Sequence, residues 1–296
     1  MQATGHWSTT GLYPWSLIFL VFINDLNHNC HPDKLVLFAD DTTFLTHGVS
    51  NDDFLINQER HLATIQNWFV SNKLKLNVDK TQHIFFSTYT TNVQSVKCLG
   101  VHVDNKLQWH THVDYLARKL AICTFQIRKL IKLTNIETTK CYYYSNFQSI
   151  LSYGVTLWGM CASVERLFVI QKYAIRAMCC VKHQEHCKPL FAKLNILTLP
   201  CLLILECLLF VKANMNNQES QKHSYNTRHN EQLYIPLHRL TRTQRQPIFY
   251  MSTKLFNSIS RETQSLPMAK FKLVVRKYLL QEAFYSLDEF LTNCQI

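Results

Sequence analysis

Residues 35 to 45 read LVLFADDTTFL, an apolar, strand-like run with two carboxylates, Asp40 and Asp41, side by side in its middle. Adjacent acids repel each other and resist burial unless a cation or water offsets the cost. Aspartate suits turns, so the natural reading is a hairpin: KLVLFA and TTFLTH form two strands, with Asp40 and Asp41 at the tip between them. On the pair alone, a solvated turn is the plainer explanation. A cation site is the other, because hard Mg²⁺ takes carboxylate oxygens and keeps several waters.

The surrounding segments extend this pattern. An apolar, helix-like run from Trp15 to Leu26 ends at the breaker NHNCHPD. Leu62, Ile65, Trp68 and Phe69 recur at helical spacing and predict an amphipathic helix ending near Asn72. HIFFS reads as a strand, and VKCLGVHVDNKLQW as a short hairpin turning at Gly100. Up to Trp109 the chain therefore reads as helix plus antiparallel strands, an α+β layer.

Beyond Trp109 the period becomes helical. Val113, Leu116, Leu120, Cys123, Ile127 and Leu130 lay an apolar seam along one long helix, whose other faces carry Arg118, Lys119, Arg128, Lys129 and Lys132. KCYYYSNFQSILSYG and SVERLFVIQKYAIRAMCC predict two further helices, giving a bundle, with Leu167, Phe168, Ala174, Ile175 and Met178 inward in the last. A polar linker is expected near 213–232, followed by an Arg-rich stretch with Arg239, Arg242 and Arg245 and a helical end.

Basic residues exceed acidic ones enough to give a net charge of +11, and the pI is near 9.1. That balance suits a polyanionic partner such as nucleic acid as well as it suits a merely solvated surface. Eleven scattered cysteines and an amino terminus without a basic, then apolar, leader read as reduced, intracellular thiols. SLIFLVFI and CLLILECLLFV are too short to span a membrane and read as core, with Glu206 inside the second. CCVKHQEHC offers zinc-type donors, Cys179, Cys180, His183, His186 and Cys187, but has no paired second knuckle.

Taken in order, LIFLVFINDL, LVLFADDTTFL, WFVSNKLKLNVDKTQHIFF, KCLGVHVDNKLQWHTHV, SYGVTLWG and LFVIQKYAIRAMCC resemble the reverse transcriptases of non-LTR (LINE-like) retrotransposons. HSYNTRHN is similar to the region following the polymerase in such elements. The resemblance implies part of a palm over 1–109, a helical thumb over 110–200 and a mostly helical carboxy-terminal extension over 201–296. It places Asp40 and Asp41 on the family's aromatic-x-Asp-Asp motif, with Asp40 the direct metal ligand and Asp41 its support. Lys80 falls on the lysine that assists the leaving pyrophosphate, though it also reads as a solvated lysine before a strand. Cys98, Leu99 and Gly100 match the hairpin that grips the primer end. Gly11 is the remnant of the template-binding turn.

The implied chemistry is two-metal nucleotidyl transfer with Mg²⁺, or Mn²⁺ in its place, on an RNA template and DNA primer. The basic helix face then becomes a phosphate contact. The family also needs an aspartate on an earlier strand, whereas none of the ten residues before Gly11 is an acid, and WSTTGLYPW departs from the family's Gly-x-Pro-Gln-Gly-Ser turn. The expectation is therefore a fragment inactive by itself with weak metal binding, or a non-catalytic nucleic-acid-binding remnant. A palm without its fingers would expose apolar surface and associate.

Overall fold

The computed structural model describes residues 14–29, 34–86, 94–215, 233–235 and 247–296. They fall into two compact units, residues 1–82 and 83–296. Gly11, the Arg239 to Arg245 stretch, HSYNTRHN and most of the expected linker lie outside the described residues.

In the first unit, helices α1 (Pro14–Ile23) and α2 (Leu26–Asn29) precede strands β1 (Lys34–Phe38) and β2 (Asp41–Leu45), then helix α3 (Asn51–Ser71). The strands pair antiparallel, from Lys34 opposite Leu45 to Phe38 opposite Asp41. Because side chains alternate across a strand, Leu35, Leu37 and Phe44 turn inward onto a small core of Ile23, Leu26, Ile65 and Trp68. Val36, Phe38 and Leu45 stay exposed on the other face, as do Ile18 and Val21 on α1.

Helix α3 starts eleven residues before the first of the periodic apolar positions. Its start is chemical rather than hydrophobic: Ser50 Oγ accepts from the Asp53 N–H at 3.1 Å, and Asp52 and Asp53 in the first turn favour the positive end of the helix dipole. It ends at Ser71, with the Asn72 side chain donating to the Trp68 carbonyl at 2.9 Å.

The second unit opens with strands β3 (Ser95–Cys98) and β4 (Val101–Asp104), paired antiparallel. Instead of one palm-like sheet, the described strands form two separate two-stranded sheets. The strand expected at HIFFS is not formed: residues 83–86 are irregular. Short runs of β-formers need a partner strand, and among the described residues this one has none.

Helix α4 (His110–Leu133) carries the expected seam, with Val113, Leu116, Leu120 and Ile127 almost wholly buried. Helix α5 (Ile136–Tyr142), a π-helical segment (Tyr143–Gln148) and helix α6 (Ser149–Ser152) form the second expected helix as one run with a widened middle. Tyr143, Phe147 and Leu151 are buried along it, and the Tyr143 and Phe147 rings stack at 5.0 Å. Gly154, at φ 61°, ends the run and leads into α7 (Val155–Trp158).

Helix α8 (Glu165–Met178) buries the five predicted inward residues and also Gln171. That amide is fully used: Nε2 donates to Tyr143 Oη and to the Leu197 carbonyl, each at 2.9 Å, and Oε1 accepts from the Leu199 N–H at 2.8 Å. A buried polar group satisfied in this way ties elements together without an orphaned atom. Helices α9 (Lys188–Leu194) and α10 (Leu199–Ala213) follow. Helix α10 is buried on nearly all sides with only Glu206 and Ala213 exposed, as CLLILECLLFV predicted for a core element.

After α10 come a π segment (Pro247–Met251) and helices α11 (Ser252–Asn257), α12 (Arg261–Ser265), α13 (Met268–Glu282) and α14 (Leu287–Asn293). Phe256, Phe271, Val275, Leu279 and Phe290 join the same core as α4, α8 and α10. The segments grouped as thumb and as extension thus share one interior. No single described helix is long and apolar enough to cross a membrane.

Candidate nucleic-acid and metal sites

The acidic turn in the first unit is tighter than expected. Ala39 and Asp40 are its two central residues, while Asp41 already pairs with Phe38 as the first residue of β2. Ala39 takes φ 51°, a left-handed conformation that a side chain resists. Asp40 and Asp41 are both exposed, so their charges are solvated. Hard oxygen ligands on a solvent-facing turn fit a divalent ion's preference, but two carboxylates do not complete a site. Among the described residues no three His, Cys, Asp or Glu side chains stand where they could hold one metal.

Lys80 ends a 3₁₀ turn (Val78–Lys80) that is held by its own N–H donating to Asn77 Oδ1 at 3.2 Å. Its side chain is exposed and makes no ion pair with Asp40 or Asp41. The zinc-type donors disperse. The Cys187 thiol is buried, donates to the Lys172 carbonyl at 3.6 Å and is pushed up to about 11 by burial. The His183 ring lies against Tyr173 and the His186 ring stacks on Tyr285.

Cys98, Leu99 and Gly100 form the second hairpin tip. Leu99 and Gly100 have φ 45° and 83°, the pair of positive values that a two-residue type I′ turn requires. Glycine adopts this freely, whereas leucine does so under strain. Three groups fasten this hairpin to the helices. Tyr153 Oη donates to the Leu99 carbonyl at 2.6 Å. His112 Nδ1 accepts from the His102 N–H at 3.3 Å. The buried Asp104 carboxylate accepts from the N–H groups of Lys106, Gln108 and Trp109 at 3.1, 2.9 and 2.6 Å, which shapes the bend into α4.

The His112 ring is enclosed by His102, Tyr115 and Trp158. Burial first, and then the neighbouring His102, lower its pKa to about 4. His102 is lowered for the same first reason, aided by Lys97 and Lys119. Tyr153, Asp104 and His112 were not singled out by sequence. The only hint was position: Asp104 and Asn105 stand where a strand gives way to a turn.

Arg118, Lys119, Arg128, Lys129 and Lys132 all project from the exposed side of α4. None forms an ion pair with a carboxylate among the described residues. The single acid of α4, Asp114, is bonded to Arg166.

Neither a search of curated proteins nor one of solved structures found a match. The model of the family "Reverse transcriptase (RNA-dependent DNA polymerase)" matches residues 10–103 and stops before α4. Both hairpin turns, the acidic one and the one pinned by Tyr153, fall inside that span, so this stretch of the chain, about a third of it, is similar to the reverse transcriptase family.

Proposed function

We propose that the chain is part of an RNA-directed DNA polymerase from a non-LTR retrotransposon. The observation that carries the reading is the exposed Asp40 and Asp41 pair at a hairpin tip within the matched span. On this reading residues up to about 109 correspond to part of a palm, 110–200 to a thumb and 201–296 to a carboxy-terminal extension. Asp40, with Asp41 beside it, would hold Mg²⁺ or Mn²⁺. When bound, such ions activate the primer hydroxyl and neutralise charge on the triphosphate.

The chain's own groups supply the rest. Leu99 and Gly100 bring a backbone turn to the primer end, Tyr153 fixes that turn, Lys80 offers a cation to the leaving group, and the α4 cations take phosphates. Two carboxylates alone position the reacting atoms poorly, and lost positioning of that kind costs orders of magnitude in rate. The chain by itself is therefore inactive as a polymerase.

The alternative is a non-catalytic nucleic-acid-binding module, favoured by the unpaired cations of α4. Primer extension on an RNA template with Mg²⁺ or Mn²⁺ separates the two. We expect extension no greater than that of Asp40→Ala, together with primer–template binding that weakens steeply with salt. Extension abolished by Asp40→Ala would overturn the inactivity, and binding indifferent to salt would overturn both readings.

A further inference from the structure

Helix α4 is amphipathic in the ordinary sense on its inner side, but its outermost line is not simply polar. At about 100° per residue, Arg118, Ile122, Phe125, Lys129 and Lys132 fall on one stripe, diametrically opposite the buried Leu116, Leu120 and Ile127. Ile122 and Phe125 are 59% and 58% exposed there, at the positions farthest from the core. They are therefore not the fringe of the hydrophobic interior. Cations bracket them on both sides, and Lys129 Nζ lies 5.6 Å from the centre of the Phe125 ring.

An exposed ring and an exposed aliphatic side chain set between unpaired cations match a strand whose phosphates and bases are both accessible. In a duplex the base faces are already stacked and only phosphates and groove edges remain for a helix to touch. In a single strand a base can leave its neighbours and lie on an aromatic ring. Charge decides against an apolar protein partner, since the three cations of the stripe, none of them paired with an acid among the described residues, would be desolvated on docking.

Resting on the reading that this helical unit contacts nucleic acid, we propose that the outward stripe of α4 binds single-stranded RNA or DNA. One base stacks on Phe125, Ile122 packs beside it, and Arg118, Lys129 and Lys132 hold the neighbouring phosphates.

Fluorescence anisotropy of the full chain tests this. The probes are a labelled oligothymidylate of about 12 nucleotides, within the usual site size, the same length of abasic phosphodiester, and a matched duplex. Phe125→Ala should weaken oligothymidylate binding about tenfold and leave its salt slope and the duplex affinity unchanged. Phe125→Tyr should restore it. Lys129→Ala should weaken all three probes and lower the slope by roughly 0.7 to 0.9. If Phe125→Ala binds the single strand like wild type, or the abasic strand binds as tightly as the oligothymidylate, stacking is overturned while the nucleic-acid reading stands. If no probe binds, both fall, and an acidic protein becomes the occupant.

Discussion

The Tyr153 hydroxyl donates to the Leu99 carbonyl at 2.6 Å, so a residue in the bend before α7 holds the tip of a hairpin 54 positions earlier in sequence. Removing only that hydroxyl leaves the ring against Gly100 intact, since the glycine position faces Tyr153 Cε1. Tyr153→Phe should lower unfolding stability by about 1 kcal/mol, the net worth of an ordinary hydrogen bond. Faster amide exchange at Leu99 and Gly100 than elsewhere in the unit would locate the loss at the turn.

Leu99 occupies a left-handed position that favours Asn or Gly. Leu99→Asn should raise stability by about 1 kcal/mol through relief of that strain. Urea denaturation checks it: a midpoint that falls would mean that the leucine side chain contributes more by packing than it costs in backbone strain.

Asp104 accepts three backbone N–H groups while only 2% exposed. Asp104→Asn puts a donor where an acceptor is needed and leaves at least one of them unmet. We expect a cost of about 2 kcal/mol, read from denaturant unfolding, with loss of helix at the start of α4 visible by amide exchange.

His112 gives the second unit a pH dependence. Its folded pKa, about 4, lies below the unfolded value near 6.5. The neutral form is the one that folding favours, so its contribution is complete above pH 6.5 and is lost as pH falls from 6.5 towards 4. The slope approaches about 1.4 kcal/mol per pH unit in that window. His102 beside it, itself lowered by burial and by Lys97 and Lys119, brings no carboxylate to oppose this. Urea midpoints between pH 7.5 and 4.5 should fall for the wild type and flatten in His112→Gln, which retains an acceptor.

Much of this architecture was written in local pattern. The apolar seam of α4, the inward set of α8 and both hairpins follow from spacing and from Asp40 and Gly100 at the turns. What spacing missed has physical causes. The first half of α3 is half-exposed and started by Ser50 and its two aspartates, so no apolar period marks it. HIFFS has strand composition, yet composition cannot supply a neighbour to pair with. Gln171 reads as a polar residue on a helix face, because its three bonding partners come from Tyr143, Leu197 and Leu199. The acidic turn was visible in sequence to within one residue, Ala39 and Asp40 standing where Asp40 and Asp41 were expected, whereas the fastening of the other hairpin by Tyr153, His112 and Asp104 depends on folding distant segments together.

Helix α10, enclosed by helices on both sides of it in the sequence, sets the order in which this polypeptide can mature. During synthesis at about 5 to 20 residues per second, the greasy flanks of α10 emerge seconds before Phe271, Val275 and Leu279 arrive to cover them. A nascent chain in that interval is sticky, and its yield in a cell will track how well holdase chaperones shield it until that cover is in place.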